Sequence, residues 1–315
     1  MSEFDLIERI RARVASREDV ILGIGDDAAL LQVPAGRQLV VATDTLNVGV
    51  HFPAGTAAAD IGWKALAVNL SDLAAMAAEP AWCTLSLSLP DGDPAWLEAF
   101  LDGFLALAAE HRVALVGGDT TRGPLSIGVT VHGFVAPGRA LRRDGARVGD
   151  DIWVTGTLGD AAAALQQWRA GEGGDAALRL RLDRPVPRLA AGQALAAVAH
   201  AGIDISDGLI ADLGHLARSS GVRAEVDLEA LPASSALTAA FEAPSRHGLQ
   251  ATGGDDYELC FIAPTAALEA IERIARATAT PITWIGRIVA GEGVRVFDAD
   301  GAEWQPPRHG YEHFA

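Results

Sequence analysis

Lysine is nearly absent: Lys64 is the only one in 315 residues, and its neighbours, IGWKAL, form no Walker A loop. Any phosphate chemistry here must proceed without the P-loop lysine. Cysteine is almost as scarce, with Cys83 and Cys260 in separate apolar runs. That suits ordinary buried thiols in a reducing compartment. Basic residues are in deficit, 25 against 41 acidic ones for a net charge of −16, which argues against nucleic acid and anionic membranes as partners. There is no run of 18 uncharged apolar residues, and the N-terminal MSEFDLIERIRARV reads as an amphipathic helix and not as a signal peptide. The expectation is a cytoplasmic protein without a membrane span.

What the chain does contain is ample apolar material, 50% hydrophobic and 21% charged residues, in a length that suits two domains better than one core. Strand-like runs recur as QLVVATDTL, AWCTLSLSL, VALVGGDT, LSIGVTVHGFV and DDIWVTG. Helical spacing marks AAADIGWKALAVNLSDLAAMAA, DPAWLEAFLDGFLALAAEHR and RLAAGQALAAVAH. This alternation predicts an α/β or α+β fold. The turn-rich, basic segment 136–151 is the candidate boundary, giving domains 1–138 and 139–315.

Both halves place acids beside glycine at element ends: GIGDD, GGDT, ISDG and GGDDYEL. The first matches G-x-G-x-x-G/A through Gly23, Gly25 and Ala28, but a dinucleotide turn must open a helix. Here AALLQV runs into PAGR and then a strand. Strand, turn, strand argues against the Rossmann reading. Asp26, Asp27, Asp44, Asp72, Asp119, Asp204 and Asp207, with hydroxyls at Thr43 and Ser206, instead form a hard-oxygen set suited to Mg²⁺. Taken singly, each acid reads first as a turn former or helix cap, and Ser206 with Asp207 reads as a cap pair. Their number is what favours convergence on metal. Asp72 stands out because it lies three residues after Asn69, on one face of an alanine- and leucine-rich helix. Arg142 and Arg143 fit either linker solvation or a triphosphate contact. His51 alone reads first as structural. GTLGDAAAAL is a glycine turn opening a helix, suited to an anion or to close packing.

These stretches together resemble the thiamine-monophosphate kinase family of the aminoimidazole ribonucleotide synthetase superfamily. The likeness runs through LGIGDDAALL, TDTLNVGVHF, KALAVNLSDLAAM, GGDTTRGPLSIGVTVHGFV, DISDGLIADLGH, GGDDYELCF and GYEHFA, in the family's order. It implies a two-domain α/β fold in which the N-terminal domains of two subunits pair through their sheets into a shared barrel, making a homodimer. Domain 1–138 would bind ATP and Mg²⁺ and dimerise, and domain 139–315 would complete the active-site cleft. The implied reaction passes the γ-phosphoryl of ATP to thiamine monophosphate.

On the same resemblance, Asp27, Thr43, Asp44, Asp72, Asp119, Asp204 and Asp207 would bind metal. Gly118, Asp119, Arg143 and Ser206 would contact ATP, and His51, Asp255 and Tyr311 the thiamine phosphate. No residue is expected as acid or base. Asp255 stands where the family often has glutamate, and Ala42 where it has a hydroxyl. ATP and the substrate phosphate together with six carboxylates would need roughly five or six divalent ions for neutrality. Alternatives are another ATP-dependent synthetase of the superfamily and a non-catalytic acidic metal- or nucleotide-binding module. A selenophosphate synthetase should have a cysteine near its N-terminus, and the first here is Cys83.

Overall fold

The computed structural model describes residues 3–171, 174–306 and 310–312. It has two compact units, Met1–Leu73 with Ala78–Gly138 and Ala74–Ala77 with Arg139–Ala315. The fold is mixed α/β, with helices and strands in both units.

The first unit opens with α1 (Glu3–Arg13) and a small antiparallel pair, β1 (Val20–Leu22) and β2 (Leu30–Leu31). The GIGDD turn lies between these two strands, so no helix follows its glycines. Then come β3 (Gln38–Asn47), α2 (Ala58–Ala75), β4 (Glu79–Leu89), α3 (Pro94–Glu110), β5 (Ala114–Arg122) and β6 (Ser126–Val135). The four longer strands form one sheet in the order β3-β6-β4-β5, antiparallel except for the β4/β5 pair. In β3 the period of two is visible in burial: Leu39, Val41, Thr43 and Thr45 are exposed, while Ala42 and Asp44 are half-buried and Leu46 is buried. Alternating side chains thus give this edge strand one open and one covered face. α3 starts where Asp93 accepts the backbone N–H of Ala95 at 2.9 Å, with Pro94 at its first position, as capping and proline preferences require.

The second unit contains β7 (Asp150–Thr155), α4 (Asp160–Arg169), α5 (Ala176–Asp183), α6 (Leu189–Leu195), β8 (Ala201–Asp204) and α7 (Leu209–Ser220). These are followed by β9 (Arg223–Asp227), α8 (Ser235–Ala240), α9 (Ala243–Thr252), β10 (Leu259–Pro264), α10 (Leu268–Ala277), β11 (Ile282–Val289), β12 (Gly293–Phe297) and β13 (Glu303–Trp304). Seven strands make one sheet, β13-β12-β9-β11-β7-β10-β8, in which β12 and β9 are the parallel neighbours. α7 packs by a regular stripe, Leu209, Leu213 and Leu216, into a core with Ile152, Val154, Cys260 and Ile285. RLAAGQALAAVAH is helical over a shorter span than its periodicity suggests, since α6 ends at Leu195.

Candidate active site

In the first unit the candidate residues cluster around β3 and α2. The backbone N–H of Asp44 on the edge strand donates to the side-chain oxygen of Asn69 at 2.9 Å, and the Asn69 amide donates to Ala65 O at 3.0 Å. Asn69 is fully buried, and half-buried Asp72 follows one turn later on the same helix. Helical spacing therefore puts Asp72 beside the residue that holds Asp44. Thr43 points to the other face of β3, where its hydroxyl donates to Val129 O at 3.1 Å and accepts from the Thr130 hydroxyl at 3.0 Å. Any oxygen it lent to a metal on Asp44 would come from its backbone.

Asp26 and Asp27 are exposed on their turn, where the Asp27 N–H donates to the Asp26 carboxylate at 2.8 Å. Gly118 has φ +148°, and a Cβ there would lie 1.8 Å from Leu85 O, so only glycine fits. Asp119 follows on β5. Its cross-strand row runs through Ser86 and Gly128 to Thr45, which puts Asp119 on the open face. Three strand spacings, about 14 Å, separate that row's ends. Asp44 and Asp119 thus lie on opposite faces and opposite edges of one sheet.

His51 sits in the turn after β3. Its ring Nδ1 accepts the Asn47 backbone N–H at 3.0 Å, and the backbone N–H of His51 donates to Asn47 O at 3.0 Å. In the neutral ring the proton is then on Nε2.

The second unit presents two turns bonded to each other. After β8, the backbone N–H groups of Ser206, Asp207 and Gly208 all donate to one oxygen of Asp212, at 3.0, 3.0 and 3.1 Å. The expected Ser206/Asp207 cap is corrected here: the N-cap of α7 is Gly208, with no side-chain cap bond. Asp212, one turn into the helix, reaches back to satisfy these donors, which leaves the Ser206 and Asp207 side chains out of capping. Burial, reinforced by the Asp204 and Asp207 carboxylates, pushes the Asp212 carboxyl up to about 7. The second turn, Gly253–Tyr257, is bonded to the first through Asp255 N–H to Ser206 O and Tyr257 N–H to Ile205 O, both 2.8 Å. Tyr311 N–H donates to Asp207 O at 3.0 Å, bringing the C-terminal segment to the same turn. Arg142 is paired with Asp144, and Arg143 is exposed beside it.

The GTLGD turn already has its hydrogen-bond acceptor. Both carboxylate oxygens of buried Asp256 accept the Gly159 N–H at 3.0 Å, and burial holds that carboxyl well above the usual carboxylate range. Close packing applies too, since a Cβ on Gly156 would meet the Glu258 carboxylate at 2.0 Å. Glu258, fully buried, accepts from Arg188 at 2.6 and 2.5 Å, Arg181 at 2.8 Å and the Thr155 hydroxyl at 2.6 Å.

Among the described residues, no three histidines, cysteines or acids come together as a group able to hold a metal ion. The carboxylates expected to converge are distributed over both units, and Asp44 and Asp119 face apart. The donor chemistry nonetheless fits Mg²⁺. The candidate ligands are hard oxygens, both thiols are buried elsewhere, and the crowding of Asp204, Asp207 and Asp212 favours a cation.

Profiles of the AIR synthase related protein match in both halves, the N-terminal domain over residues 25–135 and the C-terminal domain over 147–299. The thiamine-monophosphate kinase of Salmonella typhimurium is 48% identical over 99% of this chain and 98% of its own length. The chain belongs to the thiamine-monophosphate kinase family. Within that family, the crystal structure of the Stenotrophomonas maltophilia enzyme is 56% identical, with a TM-score of 0.89 over 96% of this chain and 98% of its own. A structure described as AaThiL complexed with AMPPCP and TMP is 34% identical, with a TM-score of 0.79 over 99% and 96%. For a thiamine-monophosphate kinase, the residues that sequence reasoning passed over are Asp212 and Tyr257. Both lie inside the quoted motifs, and only tertiary contacts distinguish them from neighbouring helix and strand residues.

Proposed function

We propose that this protein is an enzyme that transfers the γ-phosphoryl group of ATP in line to the phosphate of thiamine monophosphate, giving thiamine diphosphate and ADP. Likeness to thiamine-monophosphate kinases along 99% of the chain carries this reading. The chemistry is consistent with it. A phosphate monoester is largely ionised near neutral pH, so the acceptor needs no general base. The protein's task is alignment and charge cover. His51 suits that task, because its neutral ring offers Nε2–H as a donor to the acceptor phosphate. Asp255 and Tyr311 would complete the acceptor contacts, while Gly118, Asp119, Arg143 and Ser206 would meet ATP.

Asp27, Asp44, Asp72, Asp119, Asp204 and Asp207, with Thr43, would hold Mg²⁺. When bound, these ions would supply the charge neutralisation that a P-loop lysine supplies elsewhere. In this reading residues 1–138 form the ATP- and Mg²⁺-binding, dimerising domain and residues 139–315 the domain that completes the site. The homodimer would pair through the first unit's sheet into a shared barrel, a reading supported by the exposed Leu39 and Val41 on edge strand β3. No helix among the described residues is long and apolar enough to cross a membrane, which accords with a cytoplasmic setting. The test is a coupled assay of ADP release with Mg·ATP. Release that depends on thiamine monophosphate supports the reading, and release indifferent to it rejects the reading.

A further inference from the structure

Asp255 and Tyr257 both have left-handed backbones, at φ 69° and 50°. Such conformations are disfavoured for residues with a Cβ and persist where the surroundings over-determine them. Three anchors do so here. The Asp255 and Tyr257 N–H groups are held by Ser206 O and Ile205 O, and the Ile205 N–H returns to Glu258 O, all at 2.8 Å. Between the two, Asp256 turns inward to Gly159. Just beyond them, Glu258 is fixed by two arginines. With the loop so constrained, the side chains of Asp255 and Tyr257 meet, and the phenolic O–H donates to Asp255 Oδ1 at 3.1 Å. The tyrosine ring is buried, at 9% exposure, while Asp255 is half-buried.

An aspartate side chain turns broadly about its last torsion. A buried, rigid phenol bonded to one oxygen removes that freedom and fixes the carboxylate plane. A carboxylate repels the acceptor's phosphate, and by charge it matches the other end of thiamine monophosphate, the cationic thiazolium and the amino-bearing ring. We infer that Tyr257 is a positioning residue for acceptor affinity, its hydroxyl aiming the Asp255 carboxylate at that cationic, amino-bearing part of the substrate. This rests on the reading that Asp255 meets the acceptor.

The test is a double-mutant cycle of Tyr257→Phe, Asp255→Asn and the pair, with steady-state kinetics, calorimetric titration of thiamine monophosphate, and thermal unfolding read alongside. Phe removes one oxygen from a packed ring, so the unfolding midpoint should move little. The expected result is a rise of about tenfold in KM for thiamine monophosphate in Tyr257→Phe, matched in the calorimetric Kd, with KM for ATP unmoved and kcat falling less than KM rises. Asp255→Asn should raise that KM at least as much, and the double variant should be no worse than Asp255→Asn alone. An unchanged KM in Tyr257→Phe, or effects that multiply in the pair, would overturn the inference. If Asp255→Asn leaves KM for thiamine monophosphate unchanged, the Asp255 contact and the inference fall together. Acceptor-dependent ADP release by the wild type would then still support the reaction itself.

Discussion

The backbone N–H of Asn47 donates to Nδ1 of His51 at 3.0 Å, so a turn immediately after β3 decides which nitrogen of the ring carries the proton. Protonating Nδ1 would set two N–H groups against each other. In the neutral ring Nε2 is therefore the nitrogen that carries the proton and can donate. His51→Asn should chiefly raise KM for thiamine monophosphate, by about tenfold, with a smaller fall in kcat. A loss confined to kcat, with KM unchanged, would make His51 a general base.

Glu258 is fully buried in the second unit and paired with two arginines. Glu258→Gln removes the counter-charge of Arg188 and Arg181 within a buried network, which should cost about 3–5 kcal/mol and lower the thermal midpoint by several degrees. Replacing Arg188 and Glu258 together by methionine should recover part of that loss. Circular dichroism melts check both, and a Glu258→Gln midpoint equal to wild type would contradict the network's role.

Much of the first unit is legible in sequence, because β3 to β6 are long, alternating strands separated by two helices with clear apolar spacing. Asn69 and Asp72 could be paired by helical period alone. The sequence could not tell that β3 and β5 are opposite edges of the sheet, which is why Asp44 and Asp119 appeared closer companions than they are. Strand order depends on long-range pairing that local patterns do not encode. In the second unit, β9 and β12 are short and pair with each other across some seventy residues, and β13 has only two residues. Ser206 and Asp207 looked like a cap for the same reason: the competing acceptor, Asp212, becomes visible only once the helix start is known.

Because no group of acids able to hold a metal ion is gathered beforehand among the described residues, Mg²⁺ should bind weakly to the free chain and strongly once a nucleotide supplies further oxygens. Calorimetry with Mg²⁺ alone and with Mg²⁺ plus AMPPCP checks this, and EDTA should abolish turnover. Tight binding of Mg²⁺ to the free chain would contradict it.

Light scattering at micromolar concentration should give a mass near twice 32.7 kDa. Val41 is 54% exposed on the open face of β3, and Val41→Lys should shift the mass toward that of one chain, since a charge there opposes sheet pairing. A wild-type monomer, or a Val41→Lys dimer of unchanged stability, would count against pairing through this face.

Acceptor choice tests direct transfer to a phosphate most sharply. The measurement is chromatographic identification of products from Mg·ATP with thiamine monophosphate and, in parallel, with free thiamine. The expected result is thiamine diphosphate and ADP in equal amounts from thiamine monophosphate, and no product from thiamine, whose hydroxyl would need a general base to attack phosphorus. Formation of AMP, or turnover of thiamine at a comparable rate, would contradict it.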